Sequence, residues 1–241
     1  MKSLLSILSH VVHGYVGNRA TVFPLQYTGW DVDAINTTNY SNHPGYGSLT
    51  GVATTPDLVR DIIHGLQQIL DLNLSYDIIL TGYTPNARVL TVVKDELVRG
   101  ILGQASRKPH WVVDPVLGDN GKMYVDEKVV PVYKEIFATG LVSLITPNQF
   151  EFEVLSGVKI ESWDDVKRAI GEFRKDYDVE NIVLSSVSIN NKLYCVGSTP
   201  EETFYVPIKT IDCNFNGCGD LFTALMATSF MLMSIASVPQ C

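Results

Sequence analysis

"PDLVRDIIHGLQQILDLNLSYDIILTGY" (residues 56–83) opens on an amphipathic segment and closes on a short β-rich run. Leu58, Ile62, Leu66 and Ile69 recur at steps of three and four, the period of one helix face, so a helix is expected over 56–72. Pro56 suits its first turn, where a missing N–H costs no bond. "YDIILTGY" (76–83) then reads as a buried strand. The same alternation continues on both sides. Strand-like runs are "SLLSIL" (3–8), "WDVDAIN" (30–36), "HWVVDPV" (110–116), "LITPN" (144–148) and "NIVLSS" (181–186). "WDDVKRAIGEFRKDY" (163–177) places Trp163, Val166, Ile170 and Phe173 on one helical face. Strands alternating with amphipathic helices predict an α/β fold whose mostly parallel sheet is covered on both sides. After Ser186 the pattern changes, and "KLYCVGS" (192–198) and "TFYVPIK" (203–209) read as an antiparallel hairpin. No Gly/Ser tract, low-complexity linker or repeat divides residues 1–241, so a single domain is expected.

Composition narrows the function. The chain has 241 residues, of which 46% are hydrophobic, enough for a substantial core. A net charge of −8 without any Lys/Arg cluster argues against nucleic acid as partner. Cys195, Cys213, Cys218 and Cys241 form no C-x-x-C pair and are too sparse for a disulfide framework, which fits a reducing cytoplasm. "MKSLLSILSHVV" has no cleavage pattern after it and reads as a first strand rather than a signal peptide. Residues 221–238 are uncharged and reach the lower length limit for a bilayer span, but Ser and Thr interrupt them and no basic flank follows. A core helix, and no membrane, is the expectation.

In open parallel sheets ligands bind beyond the carboxyl ends of strands. Four strand ends carry polar chemistry. "SHVVHGYVGNRA" (9–20) has glycines at 14 and 17 that suit a tight path, whether for a ligand or for an ordinary strand-to-helix turn. His10 and His13 lack a third metal ligand nearby. In "LTGYTPN" (80–86), Tyr83 either lies over a flat ring or packs at the sheet edge. In "VVDPVLGD" (112–119), Asp114 is a charge at a strand end that needs a partner, most simply a cation or its water, while Asp119 also suits a turn cap. In "ITPNQFEFEVLSG" (145–157), Thr146 or Asn148 suits a helix N-cap with Glu151 as the boxed acid. Asp114, Asn148 and Glu151 are also hard oxygen ligands suited to Mg²⁺ shared with phosphate.

A fifth stretch, "NFNGCGDLF" (214–222), puts two glycines around Cys218 just before Asp220. If a helix begins there, the amides of Gly217 through Asp220 form an anion hole, and Asp220 stands where it could take a proton from an alcohol during phosphoryl transfer. An Asp cap in a glycine turn is the plainer alternative. Neither a G-x-x-x-x-G-K-[ST] loop nor a G-x-G-x-x-G-x-V loop occurs.

With these residues in order, the chain resembles the pyridoxal kinases of the ribokinase superfamily. The likeness is carried by "SHVVHGYVGNRATVFPLQYTGWDVDAINTTNYSNHPGYG", "LTGYT", "DPVLGD", "MYV", "ITPNQFE", "LSGVKI" and the glycine-flanked acid, across residues 4–223. It implies a ribokinase-like α/β fold with a small antiparallel hairpin. It also implies ATP-dependent phosphorylation of the 5′-hydroxymethyl group of pyridoxal, pyridoxine or pyridoxamine. By resemblance Asp220 is the base, with Gly217, Cys218 and Gly219 supplying the anion hole. Ser9, Val16, Tyr40, His43 and Tyr83 are expected to surround the substrate. Asp119, Tyr124, Asn148 and Ser186 are expected at the nucleotide. Asp114, Asn148 and Glu151 are expected to organise Mg²⁺, with Thr146 and Ser185 near K⁺. The resemblance further implies a cytoplasmic homodimer. Pro44 and Cys218 stand where the family more often has threonine, so two hydroxyls are lost while the Cys218 amide remains. The resemblance implies helices past the glycine-flanked acid that cover the sheet, and the expectation is that the 241 residues do not include them. Two further readings share these residues, a hydroxymethylpyrimidine kinase and a catalytically inactive pyridoxal-binding protein.

Overall fold

The computed structural model describes residues 2–103, 108–213 and 215–236. The chain begins with β1 (Lys2–Leu8), β2 (Val11–His13), α1 (Asn18–Tyr27), β3 (Trp30–Asn36), β4 (Thr38–Asn42) and β5 (Gly51–Ala53). It continues through α2 (Pro56–Gln67), α3 (Leu72–Ser75), β6 (Ile78–Thr81), α4 (Ala87–Leu97), β7 (His110–Val113), β8 (Gly118–Asp119), β9 (Lys122–Met123) and α5 (Val129–Phe137). The remainder is β10 (Val142–Ile145), α6 (Gln149–Ser156), α7 (Trp163–Asp176), β11 (Asn181–Ile189), β12 (Lys192–Ser198), β13 (Thr203–Ile208) and α8 (Cys218–Ala236).

Eight strands make the main sheet in the order β13-β12-β11-β10-β7-β6-β1-β3. From β3 to β11 neighbours are parallel, with Leu5 opposite Ile79 and Ile79 opposite Trp111. β12 and β13 are antiparallel, the expected hairpin. Alternation along each strand divides the core between the two faces. Leu5, Ile7, Ile79, Trp111, Val113 and Ile145 pack with residues of α2, α4, α5, α6 and α7. Leu4, Leu8, Ile78, Leu80, Val112 and Leu144 pack with Leu25 of α1 and Ala224 and Ala227 of α8. A second, three-stranded sheet, β2-β4-β5, stands over the carboxyl end of β1.

The expected face of α2 is corrected. Val59 and Ile63 are its buried residues, whereas Leu58 is 51% exposed, Ile62 37% and Ile69, beyond the helix end, 76%. Two apolar rows run side by side on this helix, and spacing alone does not say which row turns inward. α7 follows expectation, with Val166, Ile170 and Phe173 buried and Trp163 packed against Tyr194 and Tyr205. α8 covers one face of the sheet as the sequence predicted, with Thr223, Ala224 and Ala227 buried. Among the described residues no helix is long and apolar enough to cross a membrane. Ser237 and Val238 of the apolar run lie outside the described residues.

Candidate active site

The start of α8 is pressed against the loop that follows β1. Gly217 has φ 80°, and a Cβ there would stand 1.9 Å from the Tyr15 carbonyl oxygen. Gly17 has φ 54°, and a Cβ there would stand 2.1 Å from the Ser9 carbonyl oxygen. Both positions need glycine, for conformation and for space. The loop itself is anchored by buried Asn18, which accepts from Ser6 Oγ at 2.7 Å and donates to Leu8 O, Ile35 O and Asn36 Oδ1. Leu221 N–H bonds Gly217 O at 3.0 Å, which closes the first turn. The amides of Cys218 and Gly219 therefore belong to the turn that has no helical carbonyl to bond, the arrangement that favours an anion. Asp220 is partly exposed at this edge. Burial raises its carboxyl to about 6, against the pull of hydrogen bonds from the Gly17 amide and its own.

Asp114 follows β7 and is almost fully buried. Its Oδ2 lies 3.9 Å from where a Cβ on Gly219 would be, so it sits directly behind the anion-hole turn. Thr223 Oγ1 donates to Asp114 Oδ2 at 3.2 Å, and Thr146 Oγ1 is 2.7 Å from Thr223 Oγ1, a buried chain linking β10, α8 and β7. The Asp114 carboxyl is pushed well above its usual range by burial first, then by the charges of Glu151 and Asp220. Glu151 is also raised, by burial, although three backbone amides bond it. Its Oε1 accepts from Leu117 and Gly118 at 3.0 and 3.4 Å, and its Oε2 from Asn148 at 2.8 Å. Asn148 completes a capping box on α6 by accepting from Glu151 N–H at 2.9 Å, and its Nδ2 donates to Gly118 O. The helix cap that the sequence offered beside a metal role is thus present, with Asn148 rather than Thr146 as N-cap. These bonds occupy the Asn148 side chain and both Glu151 oxygens. Among the described residues no three His, Cys, Asp or Glu side chains converge to enclose an ion by themselves. Asp114, Glu151, Thr223 and Thr146 offer hard oxygens here, the chemistry of Mg²⁺ shared with phosphate.

The residues expected around the substrate lie on the loops beside this turn. Ser9 and Val16 are buried in the loop that carries Gly17. Tyr40, on β4, donates its N–H to His10 O at 3.1 Å and is paired with Val11. The Tyr83 phenol is pushed up by burial and then by the nearby Tyr40. His43 begins the turn through Pro44, where its Nδ1 accepts from Gly45 N–H at 3.1 Å. Burial draws the His43 imidazole down. In neutral His43 the proton therefore resides on Nε2.

Of the nucleotide set, Asp119 is exposed and bonds Asn120 through both carboxylate oxygens. Tyr124 is exposed, and its N–H donates to Leu117 O. Asp119 and Ser186 line a cleft of about 480 Å³ with Gln149, Phe150 and Lys159. Ser185 and Ser186 fall where the β11 register with β12 shifts between Leu184 and Val187. Ser185 N–H instead bonds Pro147 O at 2.9 Å, which sets it beside Thr146. Sequence reasoning missed Thr223 and the Gly17 amide. Thr223 lies three residues after Asp220, the spacing that keeps two side chains on one helix face, so a signal existed. A backbone donor such as Gly17 N–H leaves none.

Comparison with known proteins identifies the family. The family model described as phosphomethylpyrimidine kinase matches residues 49–236. The pyridoxal kinase of Homo sapiens is 38% identical over 241 residues, covering 92% of this chain and 75% of that one. Among solved structures, the pyridoxal kinase of Leishmania donovani in complex with ADP and ginkgotoxin has a TM-score of 0.86 at 32% identity, covering 95% of this chain and 82% of that one. The same kinase in complex with ADP and pyridoxamine has a TM-score of 0.84 at 33% identity, covering 95% and 83%. The chain therefore belongs to the phosphomethylpyrimidine kinase family, and within it to the pyridoxal kinases.

Proposed function

We propose that the chain transfers the γ-phosphoryl group of ATP to the 5′-hydroxymethyl group of pyridoxal, pyridoxine or pyridoxamine. One observation carries this reading. Asp220 stands at the amino end of α8 with its carboxyl near 6, held by the Gly17 amide and flanked by Gly217, Cys218 and Gly219. A carboxylate so tuned is ionised at neutral pH yet basic enough to take the alcohol proton as the oxygen attacks phosphorus. The amides at the start of α8 receive charge that develops on the transferring phosphoryl oxygens. Cys218 serves through its N–H, so the missing threonine hydroxyl leaves that donor intact. Tyr40, Tyr83, Val16 and Ser9 form the walls for the pyridine ring, with His43 Nε2–H as a donor at its edge.

A divalent ion such as Mg²⁺, when bound, neutralises phosphate charge. Asp114, Glu151 and Asn148 are the residues that would hold it, Glu151 and Asn148 being also bonded within the α6 cap. Thr146 and Ser185, at the neighbouring ends of β10 and β11, are the proposed neighbours of K⁺. Asp119, Tyr124 and Ser186 border the nucleotide, with the cleft beside α6 as its approach. The exposed Leu58 and Ile62 of α2 support a homodimer. The free thiols of Cys195, Cys213 and Cys218 support a cytoplasmic location. A single catalytic domain is inferred, because both faces of one continuous sheet supply the core.

The test is ATP-dependent formation of pyridoxal 5′-phosphate by the purified chain. Asp220→Asn is expected to abolish turnover while pyridoxal binding is largely kept, and a fully active Asp220→Asn protein would overturn the assignment. Offering hydroxymethylpyrimidine alongside pyridoxal in one coupled assay separates the two alcohols, and pyridoxal is expected to be the preferred acceptor.

A further inference from the structure

The turn after β6 is bonded by side chains from distant parts of the chain. The Gly82 carbonyl accepts from Thr84 Oγ1 at 3.2 Å and from Tyr133 Oη at 3.4 Å. One residue on, the Tyr83 carbonyl accepts from Thr37 Oγ1 at 2.7 Å. Thr37, Thr84 and Tyr133 are all buried, and they come from the β3–β4 junction, the turn itself and α5. Gly82 N–H donates to Ile7 O, and a Cβ on Gly82 would stand 2.5 Å from Leu8 Cδ2. The turn is therefore seated directly on β1, and its backbone has no room to rotate.

The two clamped carbonyls define the peptide planes on either side of the Tyr83 α-carbon. Fixing both planes fixes the direction in which the Tyr83 side chain leaves the backbone. A ring that stacks on another ring gains only at a narrow range of tilt and separation, so a small error in that direction weakens the contact. Buried hydroxyls that reach a carbonyl across the fold are also costly to leave without a partner, which makes the two bonds a firm constraint. We propose that Thr37 and Tyr133 are positioning residues that set the Tyr83 ring against the flat ring of the vitamer. This rests on the reading that Tyr83 walls the substrate pocket. Neither residue touches the reacting atoms, and both act through Tyr83.

The experiment is steady-state kinetics of Thr37→Val and Tyr133→Phe, with vitamer and ATP varied separately. Thr37→Val is expected to raise the vitamer KM about fivefold, the effect of losing one hydrogen bond, and to move the ATP KM less than twofold. Tyr133→Phe, which removes a longer bond, is expected to act in the same direction and less. Thr37→Ser keeps the hydroxyl and is expected to keep the vitamer KM of the unsubstituted chain. In a Tyr83→Ala background, Thr37→Val and Tyr133→Phe are expected to add no further change, because the ring they orient is gone. An unchanged vitamer KM in both single variants, equal shifts in vitamer and ATP KM, or the same shift persisting without the Tyr83 ring would each overturn the proposal. If Thr37→Val does not fold, Tyr133→Phe and its cycle with Tyr83→Ala give the same decision. Absence of vitamer phosphorylation by the unsubstituted chain would instead overturn the proposed function. Pyridoxal affinity from equilibrium dialysis then replaces KM in the same comparisons.

Discussion

Replacing Asp220 by Asn is expected to make the protein more stable, and by an amount that depends on pH. Burial raises the Asp220 carboxyl from 3.8 to about 6, so the folded state holds its charge less willingly than the unfolded chain does. A shift of about two pKa units corresponds to about 3 kcal/mol of stability that wild type lacks once the group is ionised. The group's folded pKa is raised, so its favourable contribution is complete below the unfolded value of 3.8 and is lost as pH rises through about 6. Asn carries no charge and still presents an oxygen to the Gly17 amide. The advantage of Asp220→Asn should therefore be close to its full value at pH 8, about half of it at pH 5, and absent at the acid extreme. For a chain of this size, 3 kcal/mol corresponds to a rise in Tm of about 6–12 °C. Urea unfolding at pH 5 and pH 8, with Tm measured alongside, checks both the size and the trend. A variant no more stable than wild type at pH 8, or one whose gain is the same at both values, refutes the argument that this carboxylate is held against its preference.

Three further outcomes follow from the geometry. Because Asp220, the proposed base, can take a proton only when ionised, kcat/KM for pyridoxal should fall on acidification with an apparent pKa near 6, read from a pH–rate profile. Gly217→Ala should lower kcat by about 100-fold or more and reduce Tm, because its Cβ would stand 1.9 Å from the Tyr15 carbonyl oxygen at a φ of 80° and so displace the anion-hole amides. Ile62→Glu, a charge on the exposed row of α2, should convert the proposed dimer to monomer in light scattering with little change in monomer stability, since the buried row of that helix is Val59 and Ile63.

Much of the site was legible because it consists of charges where packing offers no reason for them. Asp114 after Val113 stood out on that ground, and the structure sets it within electrostatic reach of both Glu151 and Asp220, whereas Glu151 was equally readable as the boxed acid of α6. The α/β class, the mostly parallel sheet and the change to a hairpin after Ser186 were likewise implied by period and alternation, whereas the order of the strands was not. The row that α2 buries was not legible, because Leu58 and Ile62 are as apolar as Val59 and Ile63 and only tertiary contact chooses between them. Strand boundaries also moved. Thr146, Pro147 and Asn148 read as the end of a strand, yet β10 ends at Ile145 because Asn148 is committed to capping α6. The least legible features are backbone donors and buried hydroxyls. Gly17 N–H has no signature beyond a glycine, and Tyr133 reads as one more core residue of α5 until its hydroxyl is seen to reach Gly82.

The contacts of α1 and β3 with α8 have a consequence for when the candidate site can first assemble. Thr21 Oγ1 reaches the Asp220 carbonyl across 199 positions of sequence, and Trp30 Nε1 reaches Thr228 Oγ1 across 198. Closing so long a loop carries an entropic penalty that local contacts do not, and synthesis delivers Thr21 and Trp30 well before Asp220 and Thr228. The sheet and its other helices can gather while the nascent chain is still emerging, but the Gly17 amide meets its carboxylate only after α8 has left the ribosome and docked. Docking of α8 is thus a long-range step that local folding does not complete, and its local detachment would part the Gly17 amide from the Asp220 carboxylate.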